Sequence, residues 1–196
     1  MSERVTAADI EAAVRRIHAR VDTLRDELNA ADRALGDGDT GMTIANVVGA
    51  WINALPPAVD DVGALLLQLG RETRRASGSS LGSVLAIGLT AAGKAAPASP
   101  DRDAVVALLG AAADAITERS GASAGDKTIL DSLLAVRDAV DSGRSAVDGA
   151  AAALETFRGR EARMGRARIY GAKSVGQDDP GMLAAVLLLR AAREDA

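Results

Sequence analysis

Three carboxylates, Asp32, Asp37 and Asp39, fall within one short stretch, Ala31-Asp32-Arg33-Ala34-Leu35-Gly36-Asp37-Gly38-Asp39-Thr40-Gly41-Met42-Thr43, interleaved with glycines. Hard cations such as Mg²⁺ take oxygen ligands at about 2.0–2.1 Å and keep room for water and phosphate. The stretch therefore has the chemistry of a Mg-nucleotide site. On one continuous helix Asp32 and Asp37 would stand about 140° apart and could not converge. A chain break at Gly36 lets the loop fold back and aim all three inward. An EF-hand would need glycine at its sixth position and glutamate at its twelfth. Counted from Asp37, those places hold Met42 and Val48, which disfavours calcium sensing. Aspartates also cap helices and turns, and spacing alone leaves metal binding and capping both open.

Three further breaks carry polar groups. Ser77-Gly78-Ser79-Ser80 precedes an apolar helix; its serines can serve as N-caps or aim hydroxyls and N–H groups at an anion. Gly121-Ala122-Ser123-Ala124-Gly125-Asp126-Lys127-Thr128 has the look of a phosphate-binding P-loop, but the match fails. Asp126 separates Gly125 from Lys127, and a helix rather than a strand precedes it. The fourth break, Met164 to Gly181, holds Gly165, Arg166, Gly171, Gly176 and Asp179-Pro180-Gly181. Arg71, Arg74 and Arg75 suit the negative end of a helix dipole or a phosphate clamp. His18, the only histidine, lies beside Ile17 on a helix and reads as a packed or surface residue, so a histidine base is not expected.

The elements that must position these loops are helical. Hydrophobic residues make up 48% of the 196 positions but aromatics only 2%, so the core is built of Ala, Leu, Val and Ile. Alanine is the best helix former, and few runs are rich enough in β-branched residues for strands. Ile10, Val14, Ile17, Val21, Leu24 and Leu28 recur at helical spacing, which predicts one long helix from Thr6 to about Leu35, stopped by a left-handed Gly36. Further helices are expected over 42–53 (ended by Pro56-Pro57), 60–76, 81–94, 101–119, 129–140 and 145–162, with a last one after Gly181. Trp51 reads as core or partner surface. The reading is an all-α chain of about eight helices forming one domain over residues 1–196. Glycine-rich breaks recur at every second connection, and in an up-and-down arrangement alternate connections share an end. The four loops are thus expected around one mouth.

A net charge of −4 and so few aromatics argue against nucleic-acid binding. The absence of cysteine excludes disulfides and thiolate chemistry. The start Met1-Ser2-Glu3-Arg4-Val5 lacks a signal-peptide pattern, and no uncharged apolar run reaches the roughly 20 residues of a membrane span. A soluble cytoplasmic protein without membrane association is expected.

Taken together, Asp32-x4-Asp37-Gly38-Asp39-x-Gly41, Gly78-Ser79-Ser80, Gly121-x3-Gly125-Asp126-Lys127-Thr128-x-Leu130-Asp131, Gly165-Arg166-Ala167 and Asp179-Pro180-Gly181 resemble the nucleotide-binding L subunit of dihydroxyacetone kinases. The resemblance spans nearly the whole chain, with the blocks in order. It implies an antiparallel eight-helix barrel with ADP or ATP held at one end through two Mg²⁺ ions. Asp32, Asp37 and Asp39 match the family's metal ligands; Thr40, Gly41, Met42, Thr43, Ser79 and Ser80 match positions holding phosphates. Gly121, Ile129, Arg166, Asp179, Pro180 and Gly181 match positions around the nucleoside and diphosphate. Members of the family pass a phosphoryl group to dihydroxyacetone bound covalently to a histidine of a separate K subunit or domain, so no substrate base is assigned in this chain. The implied partners are that K subunit, a phosphotransferase-system phosphocarrier where the donor is not ATP, and a second copy in a homodimer.

The sequence departs from the family pattern at three places. Thr40 stands where histidine or cysteine is usual, Leu81 follows Ser80 where glycine is usual, and Arg168-Ile169 replace Ser-Tyr. The phosphoryl donor and the particular triose or related sugar therefore stay open. Two other readings remain at this point. Fatty acid kinases share the Asp37-Gly38-Asp39-Thr40-Gly41 form in their N-terminal domain, and a nucleotide-responsive regulatory subunit would need the same ligands.

Overall fold

The computed structural model describes residues 4–56 and 60–193. Among the described residues the chain is helical with no strand: α1 (Ala7–Ala19), α2 (Val21–Leu35), α3 (Thr40–Ala54), α4 (Val62–Ala76), α5 (Ser80–Ala95), α6 (Arg102–Ser120), α7 (Ile129–Asp141), α8 (Ala146–Arg158), a 3₁₀ segment (Arg166–Ser174) and α9 (Pro180–Ala192). Met1-Ser2-Glu3 and Pro57, which entered the expectations above, lie outside the described residues.

Side-chain caps start most of the helices. Thr6 and Asp9 form a reciprocal capping box on α1, Thr128 and Asp131 another on α7, and Asp61, Ser79, Asp101, Ser145 and Asp179 cap α4, α5, α6, α8 and α9. From α2 onward each helix packs on the next, and α9 returns to pack on α1 and α2, closing a ring. At one end Val5 N–H donates to Pro100 O and Val62 N–H to Ala98 O, each at 2.9 Å. The starts of α1 and α4 and the α5–α6 connection therefore meet there. The α2–α3, α4–α5, α6–α7 and α8–α9 connections gather at the opposite end, as the antiparallel arrangement expected from the sequence requires.

The expected single first helix is two helices. Arg20 leaves helical geometry at φ −112°, ψ 7°, with no glycine or proline to mark the break. Arg16 Nε donates to Ala192 O at 2.6 Å and Arg20 Nη1 to Ala191 O at 2.8 Å, placing two cations on the carbonyl end of α9. The bend lets both α1 and α2 pack on that helix. Helix α8 ends at Arg158 rather than near Ala162, and the last glycine-rich loop contains the 3₁₀ segment, kinked at Gly171. Gly36 is extended (φ −153°, ψ −151°) rather than left-handed; Gly38, at φ 79°, makes the turn.

The core is aliphatic, as the composition implies. Leu28, Ile44, Val47, Val48 and Leu65 are fully buried in the largest cluster. Trp51 joins it with its indole N–H donating to Thr73 Oγ1 at 2.8 Å, so the ring is a core residue. No helix among the described residues is long and apolar enough to cross a membrane.

Candidate functional site

The end that collects the four loops holds a cavity of about 320 Å³, within the range of small-molecule sites. Asp32, on the last turns of α2, is only 5% exposed, whereas Asp37 and Asp39 are exposed on the loop. One carboxylate oxygen from each lies within 4.8 Å of the other two, so the break at Gly36 does bring the three together. Asp32 Oδ2 accepts from the N–H groups of Asp39 (2.9 Å) and Thr40 (3.1 Å). Metal binding and capping thus need not compete, because a carboxylate has lone pairs for both.

A residue that the sequence did not single out completes this wall. Asn29, three residues before Asp32, accepts from Gly41 N–H at 2.8 Å and Met42 N–H at 3.3 Å. The first turn of α3 is therefore tied down by two side chains of α2. This close approach explains Gly41, since a Cβ there would collide with the backbone oxygen of Arg25 and with Asn29 Oδ1.

The opposite wall is assembled from helix starts and one irregular segment. Ser79 caps α5 through Gly82 N–H at 3.0 Å, and Ser79, Ser80 and Leu81 line the cavity. At the start of α7, Asp131 accepts from Gly125 N–H (2.6 Å) and Thr128 N–H (2.8 Å), fixing the loop that presents Thr128, Ile129 and Leu130. Asp179 caps α9 through Met182 N–H at 2.9 Å, with Pro180 in the first turn. Burial pushes the Asp179 carboxyl up to about 6, against the opposing pull of the Met182 and Gly181 N–H groups and nearby Lys127. Four helix N-termini, those of α3, α5, α7 and α9, consequently converge on one cavity beside three carboxylates. Helix starts favour negative charge and carboxylates favour a cation. The combination suits an anion that arrives with a metal.

Arg166, at the start of the 3₁₀ segment, pairs with Asp37 across the mouth, and both side chains are more than a third exposed. Ala167 and Tyr170 of this segment rest on Leu35 and Ala162 in a small separate cluster. Of the residues singled out from the sequence, Asp32, Asp37, Asp39, Thr40, Thr43, Ser79, Ser80, Ile129, Arg166, Asp179, Pro180 and Gly181 line the cavity. Gly41, Met42 and Gly121 do not line it; Gly41 is buried against α2, Met42 is 46% exposed, and Gly121 is the left-handed cap of α6. Arg71, Arg74 and Arg75 flank a different groove with Thr90, and Arg75 pairs with Glu72. The sequence reading missed the apolar lining, which includes Leu35, Val84, Ile116, Leu130 and Met164. For Leu35, Val84, Ile116 and Leu130 the helical periodicity is the same whether they face a cavity or the core, and Met164 lies in the loop before the 3₁₀ segment.

The fold and cavity define an all-helical protein whose helix starts cluster at one cavity beside a carboxylate triad. Residues 34–194 match the DAK2 domain, and the chain belongs to that family. It is 35% identical over 185 residues to triokinase/FMN cyclase of Bos taurus, covering 87% of this chain and 32% of that protein. It is likewise 35% identical over 182 residues to L-erythrulose 1-kinase of Mycolicibacterium smegmatis, covering 86% and 32%. The chain thus spans about a third of the length of these relatives. The PEP-dependent dihydroxyacetone kinase ADP-binding subunit DhaL of Escherichia coli is 27% identical over 180 residues, with 83% of this chain and 84% of that one covered. Among solved structures, the dihydroxyacetone kinase of C. freundii shares the fold at a TM-score of 0.73 and 24% identity, over 97% of this chain and 35% of that one. A second structure of that enzyme, in complex with AMP-PNP and Mg²⁺, matches at a TM-score of 0.71. These relatives are named as kinases or a kinase subunit, and the fold class read from the sequence is the one observed.

Proposed function

We propose that residues 1–196 act as one nucleotide-binding domain that transfers phosphate in a dihydroxyacetone, or related triose or ketose, kinase. The observation that carries the proposal is the triad of Asp32, Asp37 and Asp39 at the rim of a cavity into which four helix N-termini converge. An all-oxygen donor set with one buried and two exposed carboxylates fits Mg²⁺. We assign these residues to two ions bound with ADP or ATP. These carboxylates would hold the metal where it would supply positive charge to the phosphoryl group being transferred.

The chain's own residues supply the rest. Asp32 stays fixed by the α3 N–H groups it accepts from, which pre-organises the triad without the metal. Ser79, Ser80 and the start of α5 are assigned to the phosphates, and Thr40 and Thr43 contribute hydroxyls from α3. The Arg166 guanidinium is assigned to pair with a phosphate oxygen, a geometry for which arginine is suited. Ile129, Pro180 and Gly181, with the apolar lining, would enclose the nucleoside and exclude water. No residue of the chain is assigned as a base or nucleophile, and the acceptor sugar is assigned to a substrate-holding unit of the K type, a separate subunit or domain. The donor is ATP itself, or a phosphocarrier that rephosphorylates bound ADP. The kinase names of the relatives support this reading over a purely regulatory subunit or a fatty-acid-kinase domain.

The test combines the purified chain with its K-type partner, Mg-ATP and dihydroxyacetone, and in parallel with a phosphotransferase donor. Sugar phosphorylation in either arm supports the proposal. If neither arm supports turnover although both proteins are folded, the kinase assignment is wrong.

A further inference from the structure

Lys127 is the largest fully buried side chain among the described residues, with 0% of its surface exposed, and the roles assigned above do not use it. Its hydrogen-bond acceptors are all main-chain carbonyls. Nζ donates to Ser174 O at 2.7 Å and Arg160 O at 2.8 Å, with a longer approach to Arg158 O at 3.5 Å. An ammonium has three donors and no acceptor, so the group matches its three oxygens one for one. Two of those oxygens belong to the end of α8 and the residues just beyond it, where carbonyls lack helical partners and a cation is favoured. The third closes the 3₁₀ segment.

Two features show that this arrangement is held against opposing costs. Lys127 is the one non-glycine residue among those described with positive φ, at 63°, a conformation unfavourable for a side chain with a Cβ. Burial also opposes its charge. A glycine would satisfy the backbone, and an apolar residue would satisfy the burial, but neither would bond the carbonyls.

The segment anchored in this way is the one that carries the irregular wall of the cavity. Between Arg160 and Ser174 lie Met164, Gly165, Arg166 and Ala167, all of which line it. One adjoining contact runs to the same turn, Arg163 N–H donating to Asp126 O at 3.0 Å, and a second closes the segment on itself, Ala162 N–H donating to the buried Ser174 Oγ at 2.9 Å. Gly176 N–H returns to Arg158 O at 2.8 Å. We propose that Lys127 is a positioning residue, whose ammonium ties segment 158–174 to the start of α7 and so sets Arg166 and its neighbours against the nucleotide. The anchoring is independent of the assigned function; its consequence for ligand binding rests on the nucleotide-site reading.

The test uses the full chain with Lys127→Met, which removes the donors, and Lys127→Gly, which also relieves the left-handed backbone. Hydrogen exchange is followed at Ala162, Arg163 and Gly176, and Mg-ADP binding by calorimetry. The expected result is folded variants in which those amides lose at least about tenfold protection. Amides of α3 and α4 should keep theirs, and Mg-ADP should bind at least about tenfold more weakly. A merely structural role would lower protection throughout and would not single out these amides. Unchanged protection at the three amides overturns the anchor, and lost protection with unchanged Mg-ADP affinity overturns the positioning role. If the wild-type chain binds no Mg-ADP, the nucleotide reading fails, whereas the anchor is decided by exchange alone. Should neither variant fold, ¹⁵N-lysine spectra of the wild-type chain provide the test, because the chain has only Lys94, Lys127 and Lys173. One slowly exchanging ammonium signal that shifts on adding Mg-ADP is then expected. The absence of such a signal, or one indifferent to Mg-ADP, overturns the proposal.

Discussion

The two walls of the cavity are built by opposite means. On the α2–α3 side two side chains on regular helix, Asn29 and Asp32, hold the start of α3 directly, Gly41 lets the two helices touch, and the short loop between them carries Asp37 and Asp39. On the α8–α9 side a long connection with a kinked 3₁₀ segment is held by a few anchors, chiefly Lys127, Ser174 and the pairing of Arg158 with Asp178. The first wall is braced directly from helix to helix, which suits carboxylates proposed to converge on bound Mg²⁺. The second is an irregular segment held by long-range anchors, which suits a wall whose position a few side chains set.

The contrast can be broken from the braced side first. Asp37→Asn removes an anionic ligand from an exposed position that takes no part in the α3 cap. Mg-dependent ADP affinity should fall on the order of 100-fold, while unfolding stability should change by about 0.5 kcal/mol or less. Calorimetry and a denaturant titration measure the two. Equal affinity in the variant would remove Asp37 from the site. Gly41→Ala probes the bracing itself. Its Cβ has no room beside Arg25 and Asn29, and a loss of about 1–3 kcal/mol is expected by chemical denaturation. A change near zero would mean that the α2–α3 contact is soft.

On the other wall, Asp179 gives a smaller effect with a defined sign. The folded chain holds this proton to about pH 6, whereas an unfolded aspartate releases it near pH 4. The folded state therefore binds more protons between these values, and stability from this group falls as pH rises from about 4 to about 6, then stays flat. Asp179→Asn keeps an N-capping side chain without the buried charge. It should stabilise the chain by about 1–2 kcal/mol at pH 7.5, and the two proteins should converge near pH 4. A variant less stable at pH 7.5 would show that the ionised carboxylate is a favourable cap.

The same contrast separates what the sequence discloses from what it hides. Helices with amphipathic periodicity and polar caps were legible, as was the clustering of alternate loops at one end. The break at Arg20 was not, because its cause lies in carbonyls of α9 more than 170 positions away. Asp32, Asp37 and Asp39 stand out as carboxylates among glycines, but Asn29 looks like any polar residue in mid-helix. Lys127 stands out in the sequence as part of a failed P-loop and of the 121–131 family block, but its burial depends on carbonyls from residues 158, 160 and 174, which no local pattern announces. Val84, Ile116 and Leu130 could not be told from core for the same reason.

The central claim is that the carboxylate triad binds nucleotide through a divalent cation. The most direct measurement is titration calorimetry of the wild-type chain with ADP, first with Mg²⁺ and then after chelation. The account predicts that chelation weakens binding at least about 100-fold, a loss of about 2.7 kcal/mol, and that added Mg²⁺ restores it. ADP binding of equal strength with and without Mg²⁺ would contradict it.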